Sequence, residues 1–183
     1  MNVNEFLIAQ FGVRLGTRAE GQIAQKVLAA EFDRLPDDGQ VIVSLEGLEV
    51  LSTSFADEVI GRTLEALVAG LLGDRTMILR APSPELADAV DVKLDRRKLA
   101  MLCLFDGCWE LLGTHTPAMR ETLDVIISAG ATTTRRIAET LDIGLNASVN
   151  RVASLDRLRL IRRVEIGMNG PHPLFEIHSI LKG

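Results

Sequence analysis

The chain has 183 residues, with 20 Lys and Arg against 25 Asp and Glu, 47% apolar residues and 25% charged ones, a composition that excludes a disordered or fibrous protein. No apolar run reaches the roughly 20 residues needed to span a bilayer, and the opening MNVNEFLIAQFG lacks the basic-then-apolar plan of a signal peptide, so a cytoplasmic protein with no membrane contact is expected. Cys103 and Cys108 are not spaced as CxxC, and the histidines at 115, 172 and 178 are scattered, so neither a metal site nor a cofactor is expected.

The first half alternates short apolar runs with longer amphipathic ones. Phe6 to Phe11 reads as a strand, and Thr17 to Phe32 as a helix with Ile23, Ala24, Val27 and Leu28 on one face. The β-branched run Val41 to Leu45 follows the turn signal Asp37-Asp38-Gly39 and reads as a second strand. A helix from Ser54 to Leu72 places Val59, Ile60, Thr63, Leu64 and Leu67 at three- and four-residue spacing, and a strand from Thr76 to Arg80 comes next. Pro82 and Pro84 end that strand, and Pro84 suits the first turn of a helix running towards Leu94. Asp106-Gly107 between two apolar runs marks a β-hairpin over Leu99 to Leu112, with Phe105 facing Cys108 and Leu104 facing Trp109. That register implies no disulfide.

Residues 113 to 117 read as a linker, and the charge changes across it. Before Pro117 there are 11 basic and 18 acidic residues, net −7, and from Pro117 onward 9 basic and 7 acidic, net +2. Two domains are therefore expected, 1–113 and 117–183, the second a mildly basic module beside an acidic one. In the second half, Pro117 to Ala129 is a helix ended by Gly130. Thr132, Thr133 and Thr134 can cap a short helix holding Ile137, Ala138 and Leu141, ended at Gly144. Asn146 can cap a third helix with Val149, Val152, Leu155 and Leu158 inward. Arg162 to Ile166 and Leu174 to Ile177 read as strands. Three helices and a hairpin make a winged helix-turn-helix.

The stretch TTTRRIAETLDIGLNASVNRVASLDRLRLIRRVE resembles the core of winged-helix transcription regulators, over about residues 117 to 178. Arg159 stands where those families usually have a helix-ending glycine. In the first half, GTRAEGQIAQKV and VIVSLEGLEVLSTSFADEVIG resemble STAS-like domains of unknown function, distant relatives of anti-sigma-factor antagonists, over about residues 6 to 80. The matching points are Gly16, Arg18, Gly21, Glu46 and Ser54-Phe55-Ala56-Asp57-Glu58. The expected fold is thus an α/β STAS-like domain followed by a winged helix-turn-helix domain.

These readings define two candidate sites. For duplex DNA, Asn150, Arg151, Ser154 and Arg157, with Asn146 and Ser148, are expected on the third helix, where Asn and Arg suit bidentate reading of adenine and guanine. Arg135 and Arg136, with Arg162 and Arg163 at the wing, are expected to hold phosphates. For a protein partner, the resemblance implies that Ser52, Thr53 or Ser54 occupies the junction where antagonist proteins are phosphorylated by a histidine-kinase-like ATPase, with Asp57 and Glu58 beside it. Helix capping and first-turn acids are the plainer reading of the same residues. Arg96, Arg97 and Lys98 form the densest basic cluster. No phosphate loop, GxSxG elbow, HExxH or paired nucleophile set is present, so an enzyme is not expected. The expected function is a DNA-binding regulator, acting as a homodimer because one small winged helix covers only a half-site. A noncatalytic adaptor with a docking winged helix is the alternative.

Overall fold

The computed structural model describes residues 2–169 and 172–181. The chain divides into two compact units, Met1–Thr114 and His115–Gly183.

The first unit is α/β. Its mixed sheet contains β1 (Val3–Leu7), β3 (Gln40–Ser44), β5 (Thr76–Arg80), β6 (Ala100–Phe105) and β7 (Cys108–Gly113), in that spatial order. The first four are parallel and follow chain order, and β7 returns antiparallel from β6. Parallel neighbours in chain order need crossovers of one hand, which carries the connecting helices to one face. These are α1 (Arg18–Asp33), a helical run from Thr53 to Val68, and α4 (Pro84–Arg97). Strand residues of one parity, Val41, Val43, Met77, Leu79, Met101 and Cys103, join Leu28, Phe32, Phe55, Ile60 and Leu94 of the helices in one buried core. A two-residue parallel pair, β2 (Arg14–Leu15) with β4 (Val50–Leu51), lies outside the main sheet.

Several sequence expectations shift by small amounts with physical causes. The first strand ends at Leu7, and Ile8–Phe11 is a 3-10 turn closed by the Gly12 amide on the Ala9 carbonyl. On α1 the buried set is Gly21, Ala24, Leu28 and Phe32, whereas Ile23 is 62% exposed and Val27 is also exposed. The inward stripe therefore lies one position away from the expected Ile23 and Val27. The expected helix from Ser54 is three segments, α2 (Thr53–Ala56), a π-helical turn (Asp57–Gly61) and α3 (Arg62–Val68), and Val59, Ile60, Thr63, Leu64 and Leu67 are all buried along it. The hairpin pairs Phe105 with Cys108 and Leu104 with Trp109, and both cysteines are free thiols.

The end of the first unit is tied down by α4. The Gly113 amide donates to Asp91 Oδ1 at 2.7 Å, and the Thr114 hydroxyl donates to Asp95 Oδ1 at 2.7 Å. Gly113 has φ +81°, and a Cβ there would lie well inside contact distance of the Leu99 carbonyl oxygen, so this exit requires glycine.

The second unit comprises α5 (Pro117–Ala129), β8 (Ala131–Thr132), α6 (Thr134–Thr140), α7 (Leu145–Arg157), β9 (Ile161–Asn169) and β10 (His172–Ser179). The strands form an antiparallel sheet in the order β8-β10-β9. Leu123, Ile126, Ile137, Ala138, Val152 and Leu155 are buried. Thr116 caps α5 by accepting from the Met119 amide, and Thr133 caps α6 by accepting from the Arg136 amide. Gly144, not Asn146, is the N-cap of α7, and Asn146 lies in its first turn. α6 ends at Thr140, before Gly144, with Asp142 at φ +51°. The Ile143 amide then reaches back to the Ala138 carbonyl, a Schellman closure without glycine.

Candidate functional site

At about 100° per residue, the buried positions Ser148, Val152 and Leu155 of α7 define its inward direction. Asn146, Asn150 and Arg157 fall on the opposite side, and all three are exposed. The side chains of Asn150 and Arg157 have no hydrogen-bond or ion-pair partner among the described residues. Ser154 is half-buried on the flank, its hydroxyl donating to the Asn150 carbonyl at 3.0 Å.

Two residues expected on that face are elsewhere. Ser148 is fully buried, and its hydroxyl donates to the Thr134 carbonyl at 2.7 Å, so it brackets α7 to the start of α6 and cannot contact a ligand. Arg151 is turned towards α5, with Nη1 2.7 Å from Glu121 Oε2 and 3.5 Å from the Thr122 hydroxyl. Val149, expected inward, is 47% exposed. The apolar spacing of 149, 152 and 155 hid this, because the small Ser148 takes the buried position that Val149 seemed to fit.

Arg135 and Arg136 are exposed in the first turn of α6, with no ion pair among the described residues. Arg163 on β9 lies 4.2 Å above the Phe175 ring, and its Nη1 is 3.7 Å from Asp156. Arg162 is half-buried. Two of the four basic residues are thus fully available, while Arg163 is held by a ring and a carboxylate.

In the first unit, the junction before α2 is closed by Ser52. Its hydroxyl accepts from the Phe55 amide at 3.1 Å and donates to the Gly16 carbonyl at 2.7 Å. The capping role belongs to Ser52, not Ser54. Thr53 is exposed and Ser54 half-buried in the first helical turn. Asp57 receives Arg97 Nε at 2.8 Å on one oxygen and Nη2 at 3.2 Å on the other, a bidentate pair, and Arg97 Nη1 also reaches Glu65 at 2.8 Å. The hydrogen bonds from Arg97 hold the Asp57 carboxyl below its ordinary range, against an opposing effect of burial and with help from the charges of Arg97, Lys93 and Arg18. Arg97 is correspondingly shifted upward, first by its bond to Asp57.

Glu58 is 1% exposed, between Arg62 Nε at 2.9 Å and Arg18 Nε at 3.3 Å. The angles of both approaches are poor, so the carboxylate is neutralised by charge more than by directed hydrogen bonds. Its backbone sits so close to α1 that a Cβ on Gly21 would lie 2.8 Å from Glu58 Cβ. Of the five residues expected at a partner surface, Ser52, Asp57 and Glu58 are therefore committed to internal contacts, and Thr53 and Ser54 are not brought together with them into one exposed patch. Sequence reasoning missed the Asp57–Arg97–Glu65 network, since its members are brought together from two helices. The cluster Arg96, Arg97 and Lys98 is split: Arg97 faces inward to Asp57, and Lys98 takes φ +58° at the end of α4.

Cys103 is buried, and burial, with the Glu110 carboxylate opposite, pushes its thiol up to about 12. No group of three His, Cys, Asp or Glu among the described residues is arranged to hold a metal ion. No helix among them is long and apolar enough to cross a membrane. No protein-family model matches the chain, and no curated protein is significantly similar to it.

Proposed function

We propose that the chain is a noncatalytic, DNA-binding transcriptional regulator in which a winged helix-turn-helix unit, residues 117–183, follows a STAS-like unit, residues 1–113. The observation that carries this reading is the free face of α7. Asn146, Asn150 and Arg157 share the side opposite the buried stripe, on a helix of about 20 Å, with Arg135 and Arg136 exposed in the first turn of the preceding helix. Asn and Arg on such a face suit base edges, and exposed arginines on the neighbouring helix suit phosphates. Thr133 and Ser148 support the arrangement, one capping α6 and the other tying α7 to it.

A two-fold dimer, reading two half-sites, gives the affinity that one small unit lacks. The β6–β7 hairpin is the proposed contact, since β7 is an edge strand of its sheet and edge strands pair readily. For the acidic first unit the proposed partner is a signalling protein of the histidine-kinase-like ATPase kind. It would meet Thr53 and Ser54 at the start of α2.

The test is an electrophoretic mobility shift of the full-length protein on duplex fragments, across a salt series. Binding that weakens log-linearly with salt and prefers particular fragments supports the reading. Binding no better than that of an unrelated protein of equal net charge refutes it. Sedimentation showing only a 20.0 kDa species at micromolar concentration removes the dimer.

A further inference from the structure

Between α7 and the β9–β10 hairpin lies a cleft of about 540 Å³. Its floor is Val152, buried, and its walls are Val149 and Ala153 from α7 and Ile166, Leu174 and Phe175 from the hairpin. Three of these are large apolar side chains left substantially in water, Val149 at 47%, Ile166 at 57% and Leu174 at 44% exposure. Such residues converging on one concavity are costly to hydrate and mark a binding surface. The hairpin is bulged here: its register shifts between Leu174 and Phe175, so Ile166 is the extra residue on β9. A bulge re-aims side chains, and Ile166 lines the cleft.

The polar residues of the lining select the occupant. Arg135 and Arg163 both line the cleft, no carboxylate is among its described lining residues, and Asp156, which pairs with Arg163, approaches it only at 3.7 Å. Arg135 has no ion-pair partner among the described residues. The Arg163 guanidinium carbon lies 4.2 Å from the centroid of the Phe175 ring, and the only carboxylate paired with it among the described residues, Asp156, stands 3.7 Å away, beyond hydrogen-bond distance, so its N–H donors can still turn to an anion.

We infer that this cleft binds a small organic anion with an apolar body, a carboxylate or sulfonate on an alkyl or aryl group. The body lies against Val149, Ala153, Ile166 and Leu174, and the anionic head meets Arg135 and Arg163. The site stands independently of the DNA reading. Where that reading also holds, the occupant neutralises two arginines beside the α7 face and competes with duplex DNA.

The experiment uses the full-length protein and anilinonaphthalene sulfonate as the probe, with decanoate and decanamide as competitors. Saturable fluorescence enhancement at one site per chain, displaced by decanoate at least about tenfold more effectively than by its uncharged amide, is the expected result. Ala153→Phe, a substitution at an exposed position that fills the cleft, should abolish that site, and Arg135→Gln should weaken it about tenfold, with thermal melts showing both variants folded. Absence of saturable binding, equal displacement by the amide, or binding unchanged in both folded variants overturns the inference. If the probe binds as stated while the mobility shift fails, the cleft assignment stands and the DNA reading falls. If the probe does not bind, the cleft assignment falls whatever the DNA result.

Discussion

Arg151 Nη1 lies 2.7 Å from Glu121 Oε2, a pairing across thirty residues that turns the guanidinium of α7 towards α5 and away from the helix's free face. The consequence separates two kinds of arginine on one helix. Arg151→Ala should cost no more than about 1 kcal/mol of stability, as for other partly exposed ion pairs, and leave duplex affinity unchanged. Arg157→Ala or Asn150→Ala should instead lower specific affinity by roughly 1–3 kcal/mol with little change in stability. Mobility shifts and thermal melts on the three variants check this. A large affinity loss confined to Arg151→Ala would place the reading face one flank over.

Ser148 is the buried bracket between α6 and α7, tied to Thr134 by its hydroxyl. Ser148→Ala keeps the packing but removes the 2.7 Å bond to the Thr134 carbonyl, and should destabilise by about 1 kcal/mol. Ser148→Val, which adds volume at a fully buried site, should cost more, about 1–3 kcal/mol. Denaturant unfolding monitored by circular dichroism measures both.

Arg159 has φ +60° immediately after α7, and its amide bonds to the Asp156 carbonyl while the Leu160 amide reaches the Leu155 carbonyl. This is a Schellman ending with an arginine in the left-handed position, a conformation that costs a residue with a Cβ roughly 1–2 kcal/mol. Arg159→Gly should therefore raise stability by about 0.5–1 kcal/mol, the gain being reduced by the greater freedom of glycine in the unfolded chain. Asp142, at φ +51° after α6, should respond in the same direction. A lowered melting temperature for both variants would contradict this account of the turns.

The Asp57–Arg97 pair makes stability depend on acid in a known sense. The folded-state carboxyl lies below its ordinary range because Arg97 hydrogen-bonds the ionised form, so the pair contributes fully above the unfolded value, about pH 4. Its contribution declines as pH falls below that and is gone beneath the folded value. Asp57→Asn should be less stable than the parent near neutral pH, with the pH-dependent part of the gap closing as the solution is acidified. Urea unfolding of both proteins over an acid series would show it. A gap that widens on acidification would reverse the assigned sign.

The two thiols should differ in reactivity. Cys103 is buried with its thiol pushed up to about 12, whereas Cys108 is exposed at the hairpin. A disulfide reagent at mildly alkaline pH should modify one equivalent in the native protein and two after denaturation. Two fast equivalents in the native state would show that the β6–β7 hairpin opens readily.

Much of the local structure follows from the sequence alone, because it depends on short-range chemistry. The two apolar runs around the Asp106-Gly107 turn determine the hairpin and its register, and Pro84 and Pro117 open their helices. The spacing of Val59, Ile60, Thr63, Leu64 and Leu67 marks a face that is buried throughout. The change of net charge near Pro117 lies close to where the chain divides into two units. Only the tertiary structure decided which of two plausible faces of α1 and α7 turned inward. Helical periodicity fixes the angle between residues but not the absolute rotation of the helix, and that rotation is set by partners distant in sequence. On α1, Gly21 permits the close approach of Glu58, which turns Ala24 and Leu28 to the core and leaves Ile23 in water. On α7, the bond from Ser148 to Thr134 and the ion pair from Arg151 to Glu121 set the rotation that exposes Asn150 and Arg157.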